Sequence, residues 1–360
     1  MWCDNLGRTM IRSGELRRLI DLGIVGITSN PTIFMKAISG GGEYDEQLEN
    51  LLSTGDDDPV STYERLVLSD IAEAADILRP VYERTGRIDG FVSLEVNPTL
   101  AYDTDATVAE ARRLFGELDR PNVFIKVPAT DEGVPAIETL IGEGINVNVT
   151  LIFSVEMHER VMDAYLRGLR HLRAAGGDVS TVASVASFFV SRVDTLVDKL
   201  LEQKRGQASE VNSLFGKAAV ANAQIAYAKF RDRFSGSGEF GALASLRARV
   251  QRPLWASTST KNPNYPDTMY VDPLIGPDTV NTLPPQTIDA VLDHATPAVT
   301  IDRDLDAARS HMGRLEQVGI SMKAVTDQLT REGVDAFAQS FDELLANLSR
   351  KKQQLQTVRR

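Results

Sequence analysis

The chain has 360 residues, 42% hydrophobic and 25% charged, an ordinary globular composition with length enough for a large core. Its net charge of -11 speaks against nucleic acid or an anionic membrane as the main partner, but not against a phosphorylated small molecule held by a few local donors. A single cysteine, Cys3, excludes an internal disulfide and fits a reducing compartment. With no apolar run near the roughly 18 residues of a membrane span and no secretory leader before Trp2, the expectation is a soluble cytoplasmic protein.

In chain order, residues 1–8 (MWCDNLGR) read as a very short strand leading into a helix over 9–22, which Gly23 ends. Residues 25–29 read as a strand running into Asn30-Pro31, a turn signal. Residues 40–85 read as helical around a glycine run, with Asp56-Asp57-Asp58-Pro59 a solvated loop and helix-start signal rather than a metal site. A strand over 91–96 precedes a helix opened by a capping box at Thr107 and Glu110. Residues 123–127 form an almost wholly apolar strand with Lys126 at its centre, and a helix follows from Val134 to Gly142. Strands over 145–153 and 181–189 are each followed by a helix, capped by Ser154 and Ser191. Residues 205–250 read as helical with a break at Ser235-Gly236-Ser237. A strand over 253–258, a loop, a weak strand over 278–282 and a helix over 286–293 come next. Residues 302–350 read as helical, and 351–360 as a solvated helix end or disordered tail.

Eight candidate strands, two of them weak, alternating with helices predict βαβ units and a parallel sheet. No nucleotide-binding glycine motif follows any strand. The expected fold is α/β, a single-domain (β/α)8 TIM barrel with extra helices over residues 1–350, with a doubly wound open sheet as the alternative. The histidines (His158, His171, His294, His311) and the lone cysteine have no metal-site spacing, and the histidines read as helix-surface or loop residues.

Side chains alternate across a strand. Val123, Ile125 and Val127 share one face and leave Lys126 on the other. The same parity sets Ser93 and Glu95 against Val92, Leu94 and Val96, sets Asn146, Asn148 and Thr150 against Ile145, Val147, Val149 and Leu151, and groups Ser187 with Val185 and Phe189. Glu95, Lys126, Asn148, Thr150 and Ser187 are therefore expected to converge inside the barrel near the strand ends. Such a polar cluster is costly to bury without a use, since each unpaired group costs roughly 1 to 3 kcal/mol. Dryness disfavours an ammonium, and a neutral amine attacks a carbonyl to form a Schiff base. A carboxylate to relay protons and amides and hydroxyls to hold a sugar complete that chemistry.

The segments WCDNLGR, GITSNPTIF, SLEVNPTLAYDT, FIKVPAT, GINVNVTLIFS, ASFFVSR and WASTSTKNPNY, in this order, resemble the transaldolase family. The resemblance covers about the first three quarters of the chain and continues more weakly through TVNTLPPQTIDAVLDH. It implies an enzyme without cofactor or metal that moves a dihydroxyacetone unit from sedoheptulose 7-phosphate to glyceraldehyde 3-phosphate, giving erythrose 4-phosphate and fructose 6-phosphate. By motif, Lys126 is similar to the family's Schiff-base lysine and Asp4 to its acid/base group. Glu95 with Thr150 matches the pair that handles a catalytic water, and Asn30 and Asn148, with Thr28 beside them, the residues that hold the intermediate. Ser187 and Arg192 match the phosphate-binding motif, and Phe189 an aromatic position that favours transfer over aldol cleavage.

Two departures stand out. Relatives usually carry a stretch ahead of the tryptophan motif, so the start reads as truncated or misassigned. Many also carry an arginine two residues after the serine matching Ser257; here that position is Ser259, and Lys261 is the substitute expected to contact phosphate. The alternatives are a fructose 6-phosphate aldolase, which releases free dihydroxyacetone, and a non-catalytic sugar-phosphate-binding barrel.

Overall fold

The computed structural model describes residues 1–53, 58–206 and 210–358. Eight parallel strands close into a barrel in sequence order: β1 (Trp2–Cys3), β2 (Gly26–Ile27), β3 (Phe91–Glu95), β4 (Val123–Pro128), β5 (Val147–Ile152), β6 (Ser184–Phe189), β7 (Arg252–Ala256) and β8 (Val280–Leu283). β8 pairs with β1 through Trp2↔Thr282 and Cys3↔Leu283, which shuts the sheet and excludes the open alternative. The helices are α1 (Arg8–Arg12), α2 (Glu15–Asp21), α3 (Pro31–Ser39), α4 (Asp45–Ser53), α5 (Pro59–Arg84), α6 (Thr104–Leu118), α7 (Gly133–Gly142), α8 (Val155–Ala174), α9 (Ser191–Glu202), α10 (Ala218–Arg233), α11 (Phe240–Ala244), α12 (Pro285–His294), α13 (Leu305–Gln317) and α14 (Met322–Val358). None of the described helices is long and apolar enough to cross a membrane.

Strand parity sorts the barrel interior into layers. At the end where the strands begin, Trp2, Phe91 and Phe124 stack inward, with ring centroids 4.2 Å apart for Phe91 and Phe124. Gly26 makes room for them, because a Cβ there would lie 2.5 Å from the Trp2 indole. Two residues further along the same strands, the same parity turns Asp4, Ser93 and Lys126 inward, and two more bring in Glu95. An aromatic plug thus fills the floor and polar groups the mouth, where barrel active sites are built.

Local signals behaved unevenly. Asp58 caps α5 by accepting from Ser61 N at 2.8 Å, as the acidic run predicts; Asp56 and Asp57 lie outside the described residues. Ser154 caps α8 as expected. α6 starts earlier than expected, capped by Asp103 through Ala106 N, while Thr107 Oγ1 donates to Leu100 O instead of forming a capping box. Ser191 is already helical in α9, and its hydroxyl meets Ser257 Oγ at 3.0 Å. The expected single helix over 9–22 is broken in two at Gly14 (φ +83°). His158 and His311 are buried rather than on the surface, against the reading of all four histidines as surface residues; His171 and His294 are exposed.

Two ties hold the mouth. Arg8 is buried, donates to Asp70 at 2.9 Å and stacks over Tyr44, whose hydroxyl also reaches Asp70 at 2.7 Å. Half of the WCDNLGR motif is therefore a structural anchor for the chain just after Asp4. α14 packs on α3, α5 and α9 and runs over the barrel mouth. Its passage is close enough that a Cβ on Gly333 would sit 3.0 Å from Leu151. The helix continues past residue 350 to Val358: Lys351 pairs with Asp45 at 2.6 Å and Lys352 is buried, so the solvated end expected from residue 351 does not hold at these two positions, while Gln353 and Gln354 are exposed.

Candidate active site

Register brings the central groups together. Glu95 pairs with Lys126 and Lys126 with Asn148, on three adjacent parallel strands, so all three side chains point the same way at the same height. Lys126 is 5% exposed; its Nζ donates to Ser29 O at 2.8 Å and lies 3.3 Å from Glu95 Oε2. Asn148 accepts from Ser187 Oγ at 2.6 Å and donates to Ser93 Oγ at 3.1 Å, which fixes its amide orientation. Thr150 Oγ1 is buried with no hydrogen-bond partner among the described residues, and Thr150 lines the cavity described below, so its bonding capacity is open to whatever enters there.

Asp4 leaves β1 and is held by its backbone N–H on Leu283 O at 2.8 Å. Thr28 Oγ1 donates to Asp4 Oδ1 at 2.6 Å, and since its proton is committed there, Thr282 Oγ1 at 2.7 Å is the donor to Thr28. Asn30 caps α3 through Oδ1, accepting from Ile33 N at 3.0 Å, with Pro31 at the first helical position. Capping leaves Asn30 Nδ2 as a donor at the cavity wall.

These groups open on a cavity of about 320 Å³. Asp4, Thr28, Asn30, Lys126, Thr150, Ser187, Phe189, Arg192, Ser257 and Lys261 all line it. Glu95 and Asn148 stand just behind the surface, through Lys126 and Ser187. Every site residue expected from the sequence is thus gathered at one mouth. The wall also includes Ser259, at the position where many relatives carry an arginine, and residues not expected from the sequence: Lys36 on α3, Thr282 on β8, and Phe337 from α14, whose ring centroid is 5.9 Å from Lys126 Nζ.

The electrostatics divide the cavity into two ends. Burial pushes the Glu95 carboxyl up, the neighbouring Lys126 charge opposes this, and the charge of Asp4 adds to the rise. Burial also raises Asp4, against the Thr28 hydrogen bond and the charges of Lys126 and Lys261. Both carboxyls therefore hold a proton more tightly than an exposed acid and are fit to exchange protons. At the other end, burial lowers Arg192, offset by Glu332; Lys261 is exposed as a whole residue, but partial desolvation of its amine at the cavity lowers it, and Arg192 and Lys36 push it down further. Arg192, Lys261 and Lys36, cations that crowd one another across this end of the cavity, make a place for an anion, and the positive end of the α9 dipole adds to it. Two non-glycine residues beside the site hold left-handed backbone, Leu151 (φ +58°) at the β5 bulge and Ser257 (φ +56°) at the end of β7. Strain of this kind is tolerated where it aims side chains.

Residues 1–348 match the family model described as Transaldolase/Fructose-6-phosphate aldolase. A protein named Transaldolase from Thermobifida fusca is 53% identical over 350 residues, covering 96% of this chain and 93% of its own length. The chain belongs to the transaldolase/fructose-6-phosphate aldolase family. Proteins named Transaldolase from Acidothermus cellulolyticus (49% identical, 97% of this chain, 93% of that protein) and Mycobacterium ulcerans (48%, 96% and 92%) lie at similar distance. The chain is an enzyme of the transaldolase type, on the closed eight-stranded barrel expected from its alternation of strands and helices.

Of the residues the sequence reading missed, Thr282 had a faint signal, since the weakest strand places it in the inward parity. Lys36 lies six residues after Asn30 on the helix that Asn30 caps, and carries no motif of its own. Phe337 had none: it lies within a stretch, 302–350, expected only to be helical, and the helix crosses the mouth only in the folded chain.

Proposed function

We propose that this site transfers a dihydroxyacetone unit from sedoheptulose 7-phosphate to glyceraldehyde 3-phosphate through a Schiff base on Lys126. The observation that carries the reading is the Lys126 amine, buried 3.3 Å from a carboxylate of raised proton affinity and open to a cavity whose far end is cationic. The amine attacks the ketose C2 carbon. Glu95, with a water held at Thr150, takes up and returns the protons as the carbinolamine loses hydroxide as water and becomes an iminium. Asp4 removes the C4 hydroxyl proton; the C3–C4 bond breaks, its electron pair flows into the iminium, and an enamine and erythrose 4-phosphate result. The enamine carbon then attacks the acceptor aldehyde, whose oxygen takes the proton back from Asp4, and hydrolysis frees fructose 6-phosphate and the amine.

Thr28 and Thr282 orient Asp4. Asn30, Asn148, Ser187 and Ser257 hold the sugar hydroxyls, with Ser187 presented by its bond to Asn148. Arg192 and Lys261 bind the phosphate, with Phe189 under the guanidinium at 5.6 Å. Phe189 and Phe337 exclude loose water from the enamine, which must survive until an aldehyde arrives.

The test is product analysis with and without acceptor. Transfer predicts erythrose 4-phosphate formation that depends on glyceraldehyde 3-phosphate, with little free dihydroxyacetone. Equal release of dihydroxyacetone without acceptor would convert the reading to fructose 6-phosphate aldolase. Binding of sugar phosphates without turnover would leave only a binding barrel.

A further inference from the structure

Four side chains outside the cavity tie together the two elements that carry its cations. Arg192 stands in the first turn of α9, and Lys261 in the segment after β7. Further along α9, Asp194 and Asp198 are four residues apart and so share a face. Asp194 Oδ2 accepts from Tyr270 OH at 3.0 Å, and Asp198 Oδ2 from Tyr265 OH at 2.6 Å. Both tyrosines lie in the segment that bears Lys261.

The second oxygen of each carboxylate is also used. Asp194 Oδ1 accepts from Ala219 N at 2.8 Å and Asp198 Oδ1 from Gly216 N at 2.9 Å, at the start of α10. The Tyr265 ring lies directly on Gly216, where a Cβ would come within 2.8 Å of the ring and φ is +64°, so this approach needs glycine. Asn281 Nδ2 ties Tyr270 O to the barrel at 3.1 Å. Lys261 is exposed as a whole residue, and its Nζ donates to Ser259 Oγ at 2.6 Å, its one hydrogen bond among the described residues.

Building on the assignment of Arg192 and Lys261 to the phosphate, we propose that Asp194, Asp198, Tyr265 and Tyr270 are positioning residues for phosphate recognition. They hold the Lys261 segment at a fixed separation from Arg192, so that one phosphate meets both cations. A long lysine stem loses much freedom when it binds, and anchoring its backbone removes part of that cost in advance. The brace therefore affects the phosphorylated end of the substrate and leaves the reacting carbons alone.

The experiment measures binding of inorganic phosphate to the full chain by calorimetry, with sugar-phosphate kinetics beside it. The variants are Lys261→Ala, Tyr265→Phe, Asp198→Asn and the double variant Tyr265→Phe with Lys261→Ala; melting curves confirm that each is folded. Each single substitution should weaken phosphate binding about fivefold to tenfold and raise KM to match, with kcat of Tyr265→Phe and Asp198→Asn within about twofold of the parent. Because the brace acts through Lys261, the double variant should bind no more than about twofold more weakly than Lys261→Ala alone. If Lys261→Ala binds phosphate as the parent does, the phosphate assignment itself falls, and the brace with it. If Lys261→Ala is weakened but Tyr265→Phe and Asp198→Asn are not, the brace is overturned and the assignment stands. Fully additive losses in the double variant, or a fall in kcat at unchanged KM, overturn the brace in the same way.

Discussion

Replacing Glu95 by glutamine keeps the volume of the side chain and removes its capacity to take a proton. In the parent, Glu95 Oε2 lies 3.3 Å from Lys126 Nζ, whose other acceptor is the Ser29 carbonyl oxygen at 2.8 Å. A carbonyl holds the amine in place but cannot carry its proton away. An amide at position 95 has the same limitation, so both the deprotonation of the amine and the loss of water from the carbinolamine lose their relay. General acid–base assistance contributes about 10²- to 10⁴-fold, and the raised proton affinity of Glu95 suits both uptake and return of a proton, so a loss of about 10³-fold, or about 4 kcal/mol in barrier, is expected. The assay is a single-turnover measurement of adduct formation, quenched with borohydride, alongside steady-state KM. Adduct formation should slow by that factor while KM for the ketose phosphate stays within about threefold, because Arg192 and Lys261 stand on other elements. Activity of the parent should fall as pH drops through the raised range of Glu95, and this acidic limb should be missing in Glu95→Gln. Adduct formation within about tenfold of the parent, with the acidic limb intact, would refute the relay role.

Three further outcomes follow from the same geometry. Asp4→Asn should slow C3–C4 cleavage by at least about 10²-fold and adduct formation far less, measured by comparing release of erythrose 4-phosphate with trapped adduct; equal losses would remove Asp4 from the acid/base role. Phe337→Ala, which takes away the ring 5.9 Å from Lys126 Nζ, should raise release of free dihydroxyacetone severalfold at little change in binding, whereas an unchanged product ratio would show that α14 does not shield the enamine. His158 is wholly buried beside Phe188, with neither ring nitrogen bonded to protein, and burial lowers it from 6.5 to about 4. Its neutral form is favoured in the fold, so its contribution is complete above pH 6.5 and fades as pH falls toward 4, by about 3 kcal/mol in all. Denaturant titrations at pH 7 and pH 4 should show His158→Leu losing less stability on acidification than the parent; equal losses would contradict the assignment.

The fold was legible because alternation survives even in short strands. Phe91 to Glu95, Val123 to Pro128 and Val147 to Ile152 each show one aliphatic face and one polar face, and the pairing Glu95↔Lys126↔Asn148 is what that parity requires in a parallel sheet. β1 and β2 are two residues each: the first agrees with the very short strand expected at the start of the chain, and the second is shorter than the expected 25–29. Helix starts were less legible. Thr107 had the sequence of a capping box but was drawn to Leu100 O, and Asp103 took the cap, because several residues near a helix start compete for the same N–H groups. Arg8 and Asp4 share a motif, and nothing local separates the buried structural ion pair of one from the cavity position of the other. The contribution of α14 was illegible for a different reason: Phe337 meets Lys126 across 211 positions of sequence, and such contacts leave no trace in periodicity. His158 misled because a histidine on an otherwise amphipathic helix reads as surface, while in the fold it fills an apolar gap against Phe188.

The central claim is that a covalent bond forms at one particular amine. Incubation with fructose 6-phosphate and borohydride, followed by mass mapping of peptides, should place a single reduced three-carbon or six-carbon adduct on Lys126 and abolish activity in proportion to labelling, while Lys126→Ala should show neither adduct nor turnover. An unlabelled Lys126 in an active preparation, or near-normal activity in Lys126→Ala, would contradict the account.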